Sequence, residues 1–151
     1  MTAIREQLIV KDKEMLEAIP FIQTVKRRLF GYEDLQKFSA TQLPVAAIVG
    51  KLPNQIDYHK SSRKREVIEV IHSMLDVEAY IYFMCNNEDT MDTEISEKAN
   101  TVFRSLFVNP GRDGLCLETL IKVEPNYSHW APYVAFKVIA THYYIHTTGG
   151  I

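Results

Sequence analysis

Hydrophobic and polar positions alternate most regularly between Arg65 and Met84. Under a period of two residues, one face of this segment carries apolar side chains and the other carries mainly polar and tyrosine side chains. The apolar face comprises Val67, Ile71, Leu75, Val77, Ala79, Ile81 and Phe83, and the opposite face comprises Glu66, His72, Asp76, Glu78, Tyr80 and Tyr82. The pattern predicts one long strand, or two nearly collinear strands with a bulge near Ser73.

Two segments follow the helical period instead. The first begins after Thr2, which suits a helix N-cap, and ends before Pro20, because a proline disfavours helical geometry at the residue before it. The second is "TEISEKANTVFRSLF", whose acidic start suits the positive end of a helix dipole. Its apolar stripe consists of Ile95, Ala99, Val102 and Leu106. We expect these two segments to be the main helices.

Other segments have the composition of strands or loops. "LPVAAIVG", "LCLETLIKVEP" and "VAFKVIATHYYIHTT" predict strands, and "FIQTVKRRL" fits a strand or a short helix, of which we favour the strand. "NYSHWAPY" predicts a loop, and the polar stretch at about residues 51–65 predicts a long mobile loop. Together these elements predict a single α+β domain over residues 1–151.

The composition is that of an ordinary globular protein. The chain has 151 residues, of which 46% are hydrophobic and 24% are charged, and its formal net charge is -2. This balance argues against a protein whose affinity comes from a strongly basic surface. The start of the chain has no apolar core of signal-peptide type, and no run approaches the roughly 18 apolar residues of a membrane span. We therefore expect folding in a cytoplasm, with Cys85 and Cys116 as buried or half-buried thiols.

The pair His142 and His146 has a spacing that binds metal ions on a helix. In a strand, however, residues four apart lie about 13 Å from each other along the chain, whereas zinc ligands lie about 2 Å from one metal. The surrounding β-branched and aromatic residues predict a strand, so we expect no shared metal. We interpret both side chains as rim or interface histidines on an edge strand.

No other group of residues in the sequence indicates a catalytic site. Ser61, Ser62, Asp57, His59 and His72 are hydrolase residue types, but neither serine lies in a G-x-S-x-G motif. Cys85 continues an apolar strand face, and the glycines of "NPGRDG" end a helix instead of opening a phosphate loop. We therefore expect no catalytic residues, no cofactor and no metal. The aromatic stretch with Tyr127, Trp130 and Tyr133 fits either a lid over the core or an interface anchor.

A basic cluster stands out within the predicted polar loop. It consists of Lys60, Arg63, Lys64 and Arg65, with Tyr58 and His59 beside it. Such a cluster fits a charged loop that prevents sheet aggregation, a phosphate contact, or a partner-binding loop that orders on assembly. We take these four residues as the candidate assembly loop.

The order of elements resembles one known family. An N-terminal helix leads into "AIPFIQTV", and "LPVAAIVG", a polar excursion, "LDVEAYIYF", "TEISEKANTVFRSLF", "GLCLETLIKVEP" and "YVAFKVIATHYYIHTT" follow. This succession is similar to that of the tail terminator proteins of long-tailed, non-contractile bacteriophages, the lambda-type minor tail protein U group. The resemblance covers nearly the whole chain, although the stretch from Lys51 to Arg65 adds nothing to it.

The resemblance implies both a fold and a function. The fold is a mixed, mostly antiparallel sheet with helices packed against it. The function is structural: six copies form a ring on the head-proximal end of the tail tube, stop its polymerisation and offer a surface to the head or neck protein, while DNA passes through the lumen without specific binding. The alternatives are another ring-forming virion protein of the neck or tail tube, a small enzyme, or a nucleic-acid-binding module that uses the basic cluster.

Overall fold

A computed structural model describes the backbone of residues 3–51, 56–63, 66–85, 87, 89–130 and 132–148, and the side chains of all of these except 56–63, 66–72, 125–130 and 146–148. The helices are α1 (Ile4–Glu17), α2 (Tyr32–Gln36) and α3 (Met91–Phe107), with a 3-10 turn at Ala40–Gln42. The strands are β1 (Thr24–Lys26), β2 (Val45–Lys51), β3 (Ile56–Arg63), β4 (Glu66–Met84), β5 (Glu118–Trp130) and β6 (Tyr133–Thr148).

These elements form a mixed, mostly antiparallel sheet, and the predicted α+β class is confirmed. The strand order is β1-β2-β4-β6-β5, with β3 also paired to β4. Only the short pair β1 and β2 is parallel among the described strands. The two predicted main helices, α1 and α3, contact each other and pack on the same face of the sheet. Helix α1 begins with Ala3, not Thr2, at its N-cap.

Strand β4 is the centre of the sheet, and the prediction of one long strand is confirmed. It pairs with β6 in unbroken register from Glu69 opposite Thr148 to Met84 opposite Tyr133. Its other edge pairs first with β3 and then with β2. The predicted alternative, a bulge in β4 near Ser73, is therefore wrong. Lys51 and Ile56 are five positions apart in the chain, whereas their partners in β4, Asp76 and Ser73, are three positions apart. The two additional residues thus lie in the chain between β2 and β3, and β4 itself continues without a bulge.

Two loop predictions were wrong. Residues Ile56–Arg63, predicted as part of a mobile polar loop, form β3. Their pairing with β4 satisfies the hydrogen-bonding groups of the β4 backbone, which would otherwise lie unpaired at the edge of the sheet. Residues 126–130, predicted as loop, belong to β5. The register between β5 and β6 shifts between Glu124 and Ser128, and this bulge accommodates Pro125, which has no N–H to donate.

The core lies mainly between the sheet and the two long helices. Every position of the predicted α3 stripe is buried there, against the predicted apolar face of β4 from Leu75 to Phe83. A Cβ at Gly50 would lie 2.4 Å from the Cδ1 atom of Ile9, so any larger residue there would displace the Ile9 side chain where α1 crosses β2. A smaller cluster around Phe30, Leu35 and Tyr82 covers part of the opposite face.

Candidate functional site

Two of the four predicted assembly residues, Lys60 and Arg63, lie in a strand and not in a loop. Lys60 and Arg63 belong to β3, where they stand opposite Glu69 and Glu66 of β4. Lys64 and Arg65 lie outside the described residues, as do the side chains of the other two. The structure therefore brings Lys60 and Arg63 to one end of a hairpin and leaves their side-chain contacts undescribed.

This hairpin extends the sheet beyond its helix-covered part. Strand β2 pairs with β4 only from Asp76 onward, and β5 begins opposite Tyr143 of β6. The first half of β4 is therefore flanked by β3 on one side and the end of β6 on the other. Within the described strands, β3 pairs only with β4, so its outer edge offers unpaired backbone groups.

The interpretation of His142 as an edge-strand histidine was wrong. Strand β6 lies inside the sheet, between β4 and β5, and the His142 side chain is fully buried on the helix-covered face. The side chain of His146 lies outside the described residues. The error has a physical cause: the sequence of β6 predicts a strand, but not which strands flank it.

His142 belongs to a buried polar cluster that we define as Asp12, Arg112, Thr119 and His142. The His142 Nε2 atom lies 2.5 Å from Oδ2 of Asp12, and its Nδ1 atom lies 2.8 Å from Oγ1 of Thr119. The Thr119 hydroxyl donates to the Pro110 carbonyl oxygen over 2.6 Å, so its single proton is engaged. The His142 ring therefore joins β6 to α1 through one nitrogen and to the start of β5 through the other.

Arg112 completes the cluster from the loop after α3. Its Nε atom donates to Oδ1 of Asp12 over 2.8 Å, and its two terminal nitrogens donate to the carbonyl oxygens of Leu106, Val108 and Asn109. These carbonyls lie at the C-terminal end of α3, where the helix leaves acceptors without partners and favours a positive charge. Arg112 therefore caps α3 and at the same time balances the charge of Asp12.

The cluster has the residue types of a hydroxyl–histidine–carboxylate triad, but its surroundings close it to any substrate. Asp12, Arg112 and His142 expose at most 1% of their surface, and Thr119 exposes 4%. A nucleophile must reach a reacting atom, and the proton of this hydroxyl is held by a backbone carbonyl. The arrangement therefore fixes α1, the loop after α3, β5 and β6 relative to one another, and it performs no chemistry in this state.

Both cysteines are buried free thiols, as the sequence predicted. The Glu94 carboxylate beside Cys85 raises the pKa of that thiol, because a thiolate would lie next to a second negative charge, and burial acts in the same direction. A raised pKa disfavours the thiolate that nucleophilic attack requires. In the described part of the chain, no three histidine, cysteine or acidic side chains lie together as a metal site.

The other face of the sheet carries a second charged network, centred on Glu78. Its carboxylate accepts a hydrogen bond of 2.6 Å from the Tyr80 hydroxyl and lies 3.1 Å and 2.9 Å from the ammonium groups of Lys51 and Lys137. Burial opposes ionisation of Glu78, but the three donors together outweigh it and hold the pKa of the carboxyl below its usual value. The network joins β2, β4 and β6 on a face that the long helices leave open.

A cavity of about 470 Å³ lies at the end of the sheet near the start of α3. Its walls are mainly apolar and include Phe21, Leu43, Phe83 and Met84, and Glu94 and Lys98 of α3 contribute its charges. The Lys98 ammonium lies 4.7 Å from the centre of the Phe83 ring, a distance typical of a cation–π contact.

No protein-family model matches this chain, and no curated protein matches it. None of the described helices is long and apolar enough to cross a membrane.

Asp12→Asn should strongly destabilise the protein, because it leaves the buried charge of Arg112 without its counter-charge. Breaking a buried pair costs about 3–5 kcal/mol, so the urea midpoint should fall steeply. The matched control is Asp113→Asn, which removes an exposed carboxylate that pairs with Lys11 and should leave the midpoint near that of the wild type. Equal midpoints for the two variants would contradict a central role for the cluster.

Glu78→Gln should lower stability at neutral pH but not in acid. Since the folded-state pKa of Glu78 lies below its unfolded value, the ionised carboxyl adds stability above the ordinary range near 4.5 and loses it as the pH falls through the folded value. The gap in unfolding free energy between wild type and variant should therefore shrink below about pH 4.5. Urea titrations at several pH values measure it, with the more exposed Glu124→Gln as control. A gap that is independent of pH would refute the assignment.

Proposed function

We propose that this protein is a ring-forming tail terminator of a long-tailed, non-contractile bacteriophage. In this role, copies of the chain form a ring, six in number by the family resemblance, at the head-proximal end of the tail tube. The ring ends polymerisation of the tube protein and provides the surface to which the head-completion or neck protein binds. The protein then resides in the virion after assembly in the host cytoplasm.

The observation that carries this proposal is the sheet extension formed by β3, the first half of β4 and the end of β6. Residues of an extended strand edge bind other chains through backbone hydrogen bonds. A hairpin that leaves the helix-covered part of the molecule offers such an edge to the tube protein without disturbing the core. A ring needs in addition two different complementary surfaces on each subunit.

Two further features agree with a structural role. The cluster with catalytic residue types is closed to substrates, so the chemistry on which an enzyme would depend is not accessible in it. The net charge of -2 suits a channel through which DNA slides, since many basic contacts would hold the phosphates.

A tail tube protein is the alternative that the same observation favours. Tail tube proteins are likewise small, sheet-rich ring formers, but their assembly does not close after one ring. The two functions therefore differ in whether the purified protein stops growing.

The proposal is tested by the mass of the purified chain and by its effect on tube growth. Light scattering over a range of concentrations, with and without magnesium, should give a discrete closed oligomer, or a single chain that closes into a ring only on a tube. Added to the polymerising tail tube protein encoded in the same genome, the chain should shorten the tubes seen by electron microscopy. Open-ended polymers of the chain would identify a tube protein instead, and unchanged tube lengths would refute the terminator function.

The four basic residues of the candidate assembly loop should matter for assembly and not for folding. The test variant replaces all four with serine: Lys60, Arg63, Lys64 and Arg65. A control variant replaces four basic residues that are exposed elsewhere: Lys26, Arg28, Lys37 and Lys122. The test variant should keep the wild-type melting temperature and lose tube capping, since the four positions lie outside any apolar pattern of the sequence, whereas the control should keep both. A large loss of melting temperature with normal capping would contradict the assignment.

A further inference from the structure

Apolar side chains are exposed around the loop that follows α3. Of the eight large apolar side chains that are exposed in the described part of the chain, Phe107, Val108 and Leu117 flank this loop, with exposures of 57%, 65% and 67%. We define these three side chains as the apolar knob. The Phe107 ring also stacks on Phe103 with 5.8 Å between ring centres, which fixes its position on α3.

The knob is held rigid from beneath by the buried cluster. Arg112 binds the carbonyl oxygens of Val108 and Asn109, and the Cys116 N–H donates to the Gly111 carbonyl. The N–H of Leu117 in turn donates to the Tyr143 carbonyl of β6 over 2.8 Å. An apolar surface whose backbone is already ordered loses little conformational entropy when it binds, so this loop is prepared for contact.

A concave apolar surface lies at the other end of the same helix. It is the cavity of about 470 Å³, with the rings of Phe21 and Phe83 and the half-exposed Met84 in its walls. Its volume lies within the range of about 300–1,000 Å³ in which proteins bind compact apolar groups. The cavity adjoins Glu94 and Lys98 near the start of α3, whereas the knob begins at Phe107, where α3 ends.

The cavity contacts α3 at Glu94 and Lys98, and α3 ends at Phe107, so the two surfaces are separated along the helix by about 14–20 Å at 1.5 Å per residue. They are different in shape and cannot meet within one molecule. Their charges also differ: the first turn of α3 carries Asp92 and Glu94, and its last turn carries Arg104. The acidic end of one copy is therefore complementary in charge to the basic end of another.

We propose that the apolar knob of one copy inserts into the cavity of the next copy, with Arg104 facing the acidic first turn of the neighbouring α3. Such a contact is heterologous, since each copy contributes a different surface, and repeated contacts of this kind close into a ring when the rotation between copies permits. The proposal rests on the proposed function, because it identifies the partner at this surface as a second copy of the ring-forming chain.

The test uses one variant of each surface in the full-length chain. Leu117→Asp places a charge on the knob, and Met84→Asp places one in the cavity wall. Leu29→Asp is the control, because Leu29 is 55% exposed and belongs to neither surface. Thermal melting first establishes that all three variants are folded, and light scattering then gives their masses at concentrations where the wild type associates.

We expect each test variant to have the mass of a single chain and the control to match the wild type. An equal mixture of the two test variants should give pairs and nothing larger, because only one intact knob then meets one intact cavity. Association that survives in either variant, or a mixture that stays as single chains, overturns the contact. A wild-type chain that stays monomeric up to millimolar concentration overturns it as well.

These outcomes separate the contact from the terminator function. Rings that cap tubes and persist in both variants would leave the function in place and refute the contact. Conversely, open polymers that dissociate in both variants would support the contact and refute the terminator function.

Discussion

The arrangement of this protein depends on one buried carboxylate, that of Asp12. Its two oxygen atoms bind Arg112 and His142, which lie 100 and 130 positions further along the chain. A charge removed from water is stable only when it is paired and its hydrogen bonds are satisfied. The pairing therefore sets the distance of α1 from the loop after α3 and from β6. Through Thr119 it also sets the start of β5, and through Arg112 it caps α3.

The sheet has two faces with different physical roles. On the helix-covered face, the apolar positions of β4 and β6 pack against α1 and α3 and form the core. On the opposite face, an aromatic cluster covers only the part near β2, and Glu78 with its two lysines occupies the next part. Charged groups on the open face of a sheet disfavour non-specific association with other sheets. Specific contacts are then left to the ends and edges of the molecule.

The proposed function and the proposed contact use different parts of the molecule. The hairpin of β3 and β4 extends away from the helices, and it offers backbone edges and basic positions. The apolar knob and the cavity lie at the two ends of α3, on the rigid part of the protein. A terminator must bind both its own copies and a tube, so separate surfaces for these partners allow ring closure and tube capping to be changed independently by mutation.

The sequence by itself determined the main elements. The period of two in β4 and the period of 3.6 in α3 arise from side-chain geometry within each segment, so Ile95, Ala99, Val102 and Leu106 were recognisable as buried from their spacing alone. Only the tertiary structure decided which strands pair with each other and which side chains come into contact. Residues 56–63 are a strand because β4 lies beside them, and His142 is buried because α1 covers its face of β6. Nothing in the sequence around Asp12, Arg112 or Thr119 indicates that these residues meet, because they lie on separate elements. The energetic requirement to pair a buried charge arises only after folding has brought its partners together.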